Sequence, residues 1–224
     1  MEYVVLGAVV AILILIFSSF RPAATADLGN GFYVINCLFV NFYLLKTDKG
    51  LILFDCGTGA MLARKGIKKL GLDSDDVTHI FLTHSDRDHA GGLAINKGAQ
   101  VYLSSEEEQM INGQTPKKLF IHNKKLKVNY QLLENNAILE IDGITISILV
   151  TPGHTTGSAV YVIDEKVYVT GDLLRITRKD KVQPFLRLMD MNHKQSEKSL
   201  KEIEDVLDEA KMILSGHTGV FFKD

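Results

Sequence analysis

The run His84-Ser85-Asp86-Arg87-Asp88-His89 places four possible metal ligands within six positions, directly after the β-prone stretch Thr78–Leu82. Three more candidates follow: Pro152-Gly153-His154 behind 143–150, Gly171-Asp172 behind 166–170, and Gly216-His217 behind 211–214. Imidazole and carboxylate together suit zinc, manganese or iron. Two neighbouring divalent ions need anionic ligands, and a carboxylate such as Asp172 can reach both. A metal lowers the pKa of bound water from about 15.7 to about 7, which makes a hydroxide nucleophile near neutral pH. Asp88 is the candidate to orient that nucleophile or take its proton. A lone histidine is usually a surface or hydrogen-bonded core residue. That reading is given to His79, His122 and His193, since none lies in a glycine-bounded loop after a strand.

Strand ends must bring these residues together. Gly31–Val40, Phe42–Lys46 and Gly50–Phe54 read as strands, and Ala60–Leu70 reads as a helix with Met61, Leu62, Ile67 and Leu70 on one face. Gln100–Leu103 is a further strand, followed by a polar helix from Ser104. Ala137–Glu140 and Gly143–Val150 form an expected hairpin across Asp142-Gly143, and Ala159–Ile163 and Lys166–Thr170 a second across Asp164-Glu165. Gln195–Glu209 is an amphipathic helix, and Lys211–Leu214 a last strand. Residues 116–136 are lysine-rich and give no clear element. The lysines from Lys117 to Lys127 read as a solvated loop, with attraction of an anionic substrate or lipid head groups as the alternative. Two series of strands with accompanying helices predict an α/β sandwich, sheets inside and helices outside.

Twenty-five Lys+Arg against 27 Asp+Glu give a net charge of −2, which does not suggest a nucleic-acid binder held by electrostatics. Cys37 and Cys56 are too few for a disulfide scaffold, and buried thiols are the default. Residues 3–20 carry no charge. At 1.5 Å per residue, eighteen residues cover roughly 27 Å, close to a bilayer's hydrocarbon thickness. Residues 1–26 are therefore expected to be a membrane anchor or a signal segment, with Ala24-Thr25-Ala26 as the cleavage site in the second case. Residues 27–224 form one expected domain. Arg21 leans the topology towards a single-pass protein with its domain in the cytoplasm.

The ordered set resembles the metallo-β-lactamase-fold hydrolases, from about Gly31 to His217. That family carries a His-x-His-x-Asp-His run, then a histidine, a bridging aspartate and a last histidine. The resemblance implies an αββα four-layer sandwich, here preceded by the hydrophobic N-terminal helix. It implies two divalent ions, zinc foremost: one on His84, Asp86 and His154, the other on Asp88, His89 and His217, with Asp172 bridging. Asp55 and Gly57 resemble the family's upstream Asp-x-Gly turn. Asp86 departs from the pattern, since a histidine is usual there. Either it ligates directly, making manganese or iron more acceptable, or it ligates through water, or the first site is weak and one metal is held by Asp88, His89 and His217 with Asp172. The implied activity is membrane-tethered hydrolysis of an ester, thioester, lactone, amide or phosphoester in a small-molecule substrate. An iron-dependent redox enzyme resembling flavodiiron proteins, or a non-catalytic metal-binding module at the membrane, are the rival readings. The sequence names no oligomeric state.

Overall fold

The computed structural model describes residues 18–119 and 121–223. Among these no helix is long and apolar enough to cross a membrane. The expected hydrophobic helix within 3–20 lies outside them, apart from its last three residues.

Strands β1 (Ala26–Gly29), β2 (Phe32–Cys37), β3 (Val40–Lys46) and β4 (Leu51–Phe54) form an antiparallel series. The stretch Gly31–Val40, read as one strand, is broken by a turn at Leu38-Phe39, where Leu38 takes φ 72°. No Gly, Asn or Asp marks this turn, so apolar residues hid it. Helix α1 (Ala60–Lys69) then leads to β5 (Val77–Phe81), short helix α2 (Arg87–Ala90), β6 (Gln100–Ser104), α3 (Glu108–Ile111) and β7 (Tyr130–Leu133). The order β1-β2-β3-β4-β5-β6-β7 makes one sheet, parallel from β4 onwards.

The second half begins with β8 (Ile138–Ile141) and β9 (Ile144–Val150), then β10 (Ala159–Ile163) and β11 (Val167–Gly171). Both expected hairpins are present, and their turns use positive φ at Asp142, Gly143, Asp164 and Glu165, as tight hairpin turns require. A small hairpin of β12 (Leu174–Ile176) and β13 (Val182–Pro184) follows, then α4 (His193–Glu202), α5 (Glu204–Asp208), β14 (Met212–Ser215) and β15 (Gly219–Phe222). The helix expected over 195–209 is thus two helices, broken where Ile203 leaves helical geometry at φ −108°, ψ 9°. The second sheet has the order β15-β14-β11-β10-β9-β8.

Three apolar clusters explain the layering. The first lies between the sheets and joins Phe54, Phe81 and Tyr43 to Tyr161, Ile148 and Leu214. The second seals the outer face of the first sheet under Ala63 and Ile67 of α1. The third packs Ile203 and Leu207 on Val160 and Ile213. The result is an α/β four-layer sandwich, with sheet on sheet inside and helices outside. Cys37 and Cys56 are buried and unpaired.

Candidate metal centre

β4, β5 and β6 run parallel, as do β11 and β14, so the loops leaving their ends gather at one edge of the sandwich. Asp55 leaves β4, His84–His89 leave β5, His154 follows β9, Asp172 leaves β11 and His217 leaves β14. Ligand-bearing loops on a rigid scaffold are what a precise site requires. Gly216 shows how closely they meet. A Cβ there would lie 2.5 Å from Asp172 Oδ1 and 2.8 Å from His89 Cε1.

All four histidines are held by Nδ1 and turn Nε2 inward. Thr83 Oγ1 donates to Asp55 Oδ2 at 2.8 Å, so its hydrogen is committed. The 3.0 Å contact between Thr83 Oγ1 and His84 Nδ1 therefore has the imidazole donating. His89 Nδ1 lies 2.7 Å from Asp55 Oδ2, His217 Nδ1 lies 2.7 Å from the Phe39 carbonyl, and His154 Nδ1 lies 3.1 Å from Asp190 Oδ1. Each of those oxygens accepts, which fixes the tautomer and leaves Nε2 as the ligand atom.

The inward atoms form two groups, each with its ligand atoms within 4.8 Å of one another: His84, His154 and Asp172; and Asp88, His89 and His217. Asp172 touches both, with Oδ2 3.4 Å from His154 Nε2 and 3.2 Å from His217 Nε2, and Oδ1 3.3 Å from His89 Nε2. Donors at about 2.0–2.1 Å from a tetrahedral zinc would lie about 3.3–3.4 Å apart, so the spacing fits a cation. His84 Nε2, His89 Nε2 and Asp172 Oδ1 are buried with no hydrogen-bond partner. Buried polar atoms are rarely left so, and a donor set that holds an ion is one explanation of such a group.

The electrostatics agree. Burial opposes the charge on Asp172, but His217, His89 and His154 outweigh it and hold the carboxyl well below its usual range. Burial likewise opposes protonation of His217, yet Asp172, by charge and hydrogen bond, and Asp88 raise it to about 9. His89 is also pushed well up, against burial, by Asp172, Asp55 and Asp88. Burial and His89 push His84 down. The carboxylates thus favour positive charge at the inward nitrogens, as a proton or as a metal.

Asp86 stands in neither group. Its Oδ2 accepts from Lys117 Nζ at 2.8 Å and its Oδ1 from Asn123 Nδ2 at 2.9 Å. Burial works against its charge, but the neighbouring His154 and His84 imidazoles and the Lys117 ammonium leave it well below the usual carboxylate range. Lys117 and Asn123 come from the stretch read as a solvated lysine-rich loop. Glu107, in the acidic run after Ser104, was also missed. Fully buried, it accepts from Ser85 N and Ser85 Oγ on one oxygen and from Thr155 Oγ1 and Gly157 N on the other. It therefore ties the loop of His84 to the loop of His154. Asp190 holds both His154 and His193, whose Nδ1 lies 2.7 Å from Asp190 Oδ2. The one legible signal was Asp190 sitting three residues before His193.

Residues 35–217 match the metallo-beta-lactamase superfamily. The chain belongs to that superfamily. It is 30% identical over 189 residues to the probable metallo-hydrolase YqgX of Bacillus subtilis, covering 79% of this chain and 84% of that one. It is 26% identical over 164 residues to a probable metallo-hydrolase of Mycobacterium tuberculosis, Rv2300c, covering 57% of this chain and 53% of the relative. A thioesterase of Emericella nidulans, pkgB, is 26% identical over 134 residues, which cover 59% of this chain and 35% of that one. The chain thus spans about half the length of the mycobacterial relative and about a third of the fungal one. Among solved structures, a metallo-beta-lactamase family protein of Thermus thermophilus superposes with a TM-score of 0.65 at 26% identity, covering 88% of this chain and 76% of that one. BJP-1, a subclass B3 metallo-beta-lactamase of Bradyrhizobium japonicum, gives 0.67 at 21% identity, covering 89% and 79%, a likeness of fold alone. Members of this superfamily typically hold a dinuclear metal site, and this chain carries two His/Asp groups at the matching edge of the fold.

Proposed function

We propose that this protein hydrolyses a thioester or ester of a small molecule that carries an anionic group. The observation behind the hydrolytic part is the set of four imidazoles held by Nδ1, with Nε2 turned toward Asp88 and Asp172. A thioesterase among the relatives favours the acyl bond. The anionic group is suggested by an open cleft of about 1300 Å³ lined by Arg87, Lys97, Lys124, Lys125 and Lys127 together with Ser85.

His84, His154 and Asp172, with Asp86 beside them, would hold one ion, and Asp88, His89 and His217 the other; zinc is the metal expected of nitrogen-rich sets. When bound, such ions act as Lewis acids and make water acidic near neutral pH. The Asp88 side chain, whose Oδ2 lies 3.4 Å from His217 Nε2, is a quarter exposed and so within reach of arriving water. It takes the proton of the attacking water and returns it to the departing thiolate or alkoxide as the acyl carbon gains its new oxygen. Asp172 keeps three imidazoles in register. Glu107 and Asp55 hold the loops that carry them.

The test is chelator-treated, purified protein supplied with zinc, manganese or iron and offered thioesters, esters, lactones, β-lactams and phosphodiesters. Metal-dependent thioester or ester turnover, lost in Asp172→Ala along with bound metal, is expected. Full metal occupancy with no turnover, or turnover of phosphodiesters alone, overturns the reading.

We infer also that residues 3–20 tether the chain to a membrane and are retained, with the domain on the cytoplasmic side. Retention is favoured by contacts that a cut after Ala26 would remove: Arg21 N donates to the His217 carbonyl at 2.7 Å, and Ala23 N to Asn41 Oδ1 at 2.7 Å. Membrane fractionation, N-terminal sequencing and protease access in sealed vesicles check these points in turn.

A further inference from the structure

Lys117 enters the metal centre from the loop between α3 and β7. An ammonium has three hydrogens to donate, and all three are used beside the first cation position, one of them on a member of its ligand group. Nζ lies 2.8 Å from Asp86 Oδ2, 3.0 Å from His154 Nε2 and 2.9 Å from the His154 carbonyl. Lysine cannot accept a hydrogen bond, so His154 Nε2 offers Lys117 the same lone pair it would offer a metal. Only 12% of the Lys117 side chain is exposed. The arrangement is supported from the same loop by Asn123, whose Nδ2 reaches Ser85 Oγ at 2.7 Å and Asp86 Oδ1 at 2.9 Å. Both oxygens of Asp86 and one imidazole of the first position are thereby engaged. At the second position, among the described residues, no lysine or arginine side chain pairs with Asp88, His89 or His217, and His89 Nε2 has no hydrogen-bond partner.

We propose that Lys117 is the built-in cation of the first position, so that the protein binds one divalent ion tightly at Asp88, His89 and His217 with Asp172, and a second only when Lys117 swings out. The inference rests on the metal-dependent reading above. Asp86 makes the exchange possible. A carboxylate pairs with an ammonium, whereas a histidine there would offer a weaker partner. An ion entering the first position must displace Lys117 from His154 Nε2 and from Asp86 beside it, and then tolerate a positive charge nearby. A single charge on a flexible stem is a reversible occupant, so the second ion is excluded by competition rather than by missing ligands.

The experiment titrates zinc into the chelator-treated full chain, reading heat and, after gel filtration, bound zinc. Cobalt absorption gives an independent endpoint. Wild type is expected to retain one equivalent, with any second at least tenfold weaker. Lys117→Met and Lys117→Gln should retain two, and Lys117→Arg one. Asp88→Ala should abolish the tight equivalent, while His84→Ala leaves it in place. Wild type binding two equivalents of like affinity, or both neutral variants stopping at one while melting cooperatively, overturns the proposal. No zinc bound by any of them overturns the metal-dependent reading itself.

Discussion

The ring of Phe20 lies flat on the imidazole of His217, with centroids 4.1 Å apart and planes inclined by 18°. Phe39 and Phe185 extend the stack on the same imidazole, at 6.1 and 5.5 Å. The last residue of the apolar N-terminal stretch therefore helps to set the orientation of a candidate ligand. An aromatic pair contributes about 0.5–1.5 kcal/mol beyond its buried area, a factor of about 2–10 in an equilibrium. Phe20→Ala is expected to weaken zinc binding by about that factor, measured by competition with a chromophoric chelator. Removing residues 1–17 should leave affinity unchanged, while removing residues 1–26 should lower it further than Phe20→Ala. Equal affinities in all four proteins would mean that Phe20 does nothing for His217.

Asp55 is the hinge between two candidate ligands. It sits at φ +61° and accepts three hydrogen bonds, from Thr83 N, Thr83 Oγ1 and His89 Nδ1. Removing a partner that orients a metal-binding histidine typically costs about 10–100-fold in affinity. Asp55→Ala is expected to fall in that range for zinc. Asp55→Asn should fall between, because asparagine tolerates left-handed backbone but presents one acceptor oxygen and one amide to three donors. Identical affinity in wild type and Asp55→Ala would show that His89 needs no such anchor.

Glu107 makes a different prediction, about stability. Its four donors include two backbone N–H groups, at 2.8 Å for Ser85 and 3.0 Å for Gly157, one on each oxygen. Glutamine must turn its amide towards one of them, and a buried group left unsatisfied costs about 1–3 kcal/mol. At roughly 2–4 °C per kcal/mol for a chain of this size, Glu107→Gln should lower the melting temperature by several degrees. Glu107→Ala should lower it more, since it orphans both N–H groups and leaves a cavity. An unchanged midpoint in calorimetry would remove Glu107 as the tie between the two loops.

The sandwich was legible because its strands carry long β-branched runs and its ligands follow strand ends with glycine beside them. The candidate ligands His84, His89, His154 and His217, with Asp172, could be picked out for that reason, and the structure brings them to one edge. The turn at Leu38-Phe39 was not legible, because nothing in its composition differs from a strand. Lys117 and Glu107 were hidden for another reason. Each belongs to a run of like charges, and local sequence cannot say which member of such a run turns inward. Lys117 lies next to Lys118, whose ammonium instead meets the carbonyl of Leu188. Only contacts distant in sequence separate the two.

Protons and metal compete at His217, and this sets a pH dependence. Burial disfavours its charge, but Asp172 and Asp88 raise it from the ordinary 6.5 to about 9. A histidine more basic in the folded than in the unfolded chain stabilises the fold fully below pH 6.5, and the contribution is lost as pH rises through about 9. His89 is shifted in the same direction and adds to the trend. Metal-free protein should therefore melt at progressively lower temperature between pH 6.5 and 9. Zinc must displace the same protons, so its affinity should rise across that window, by up to about tenfold per unit for each proton released. Saturating zinc should flatten the melting profile, because the metal supplies the positive charge that the protons supplied. His217→Gln should show a shallower slope in the metal-free protein. Melting temperatures independent of pH over this range, together with a pH-independent zinc affinity, would mean that the carboxylates do not hold protons on these imidazoles.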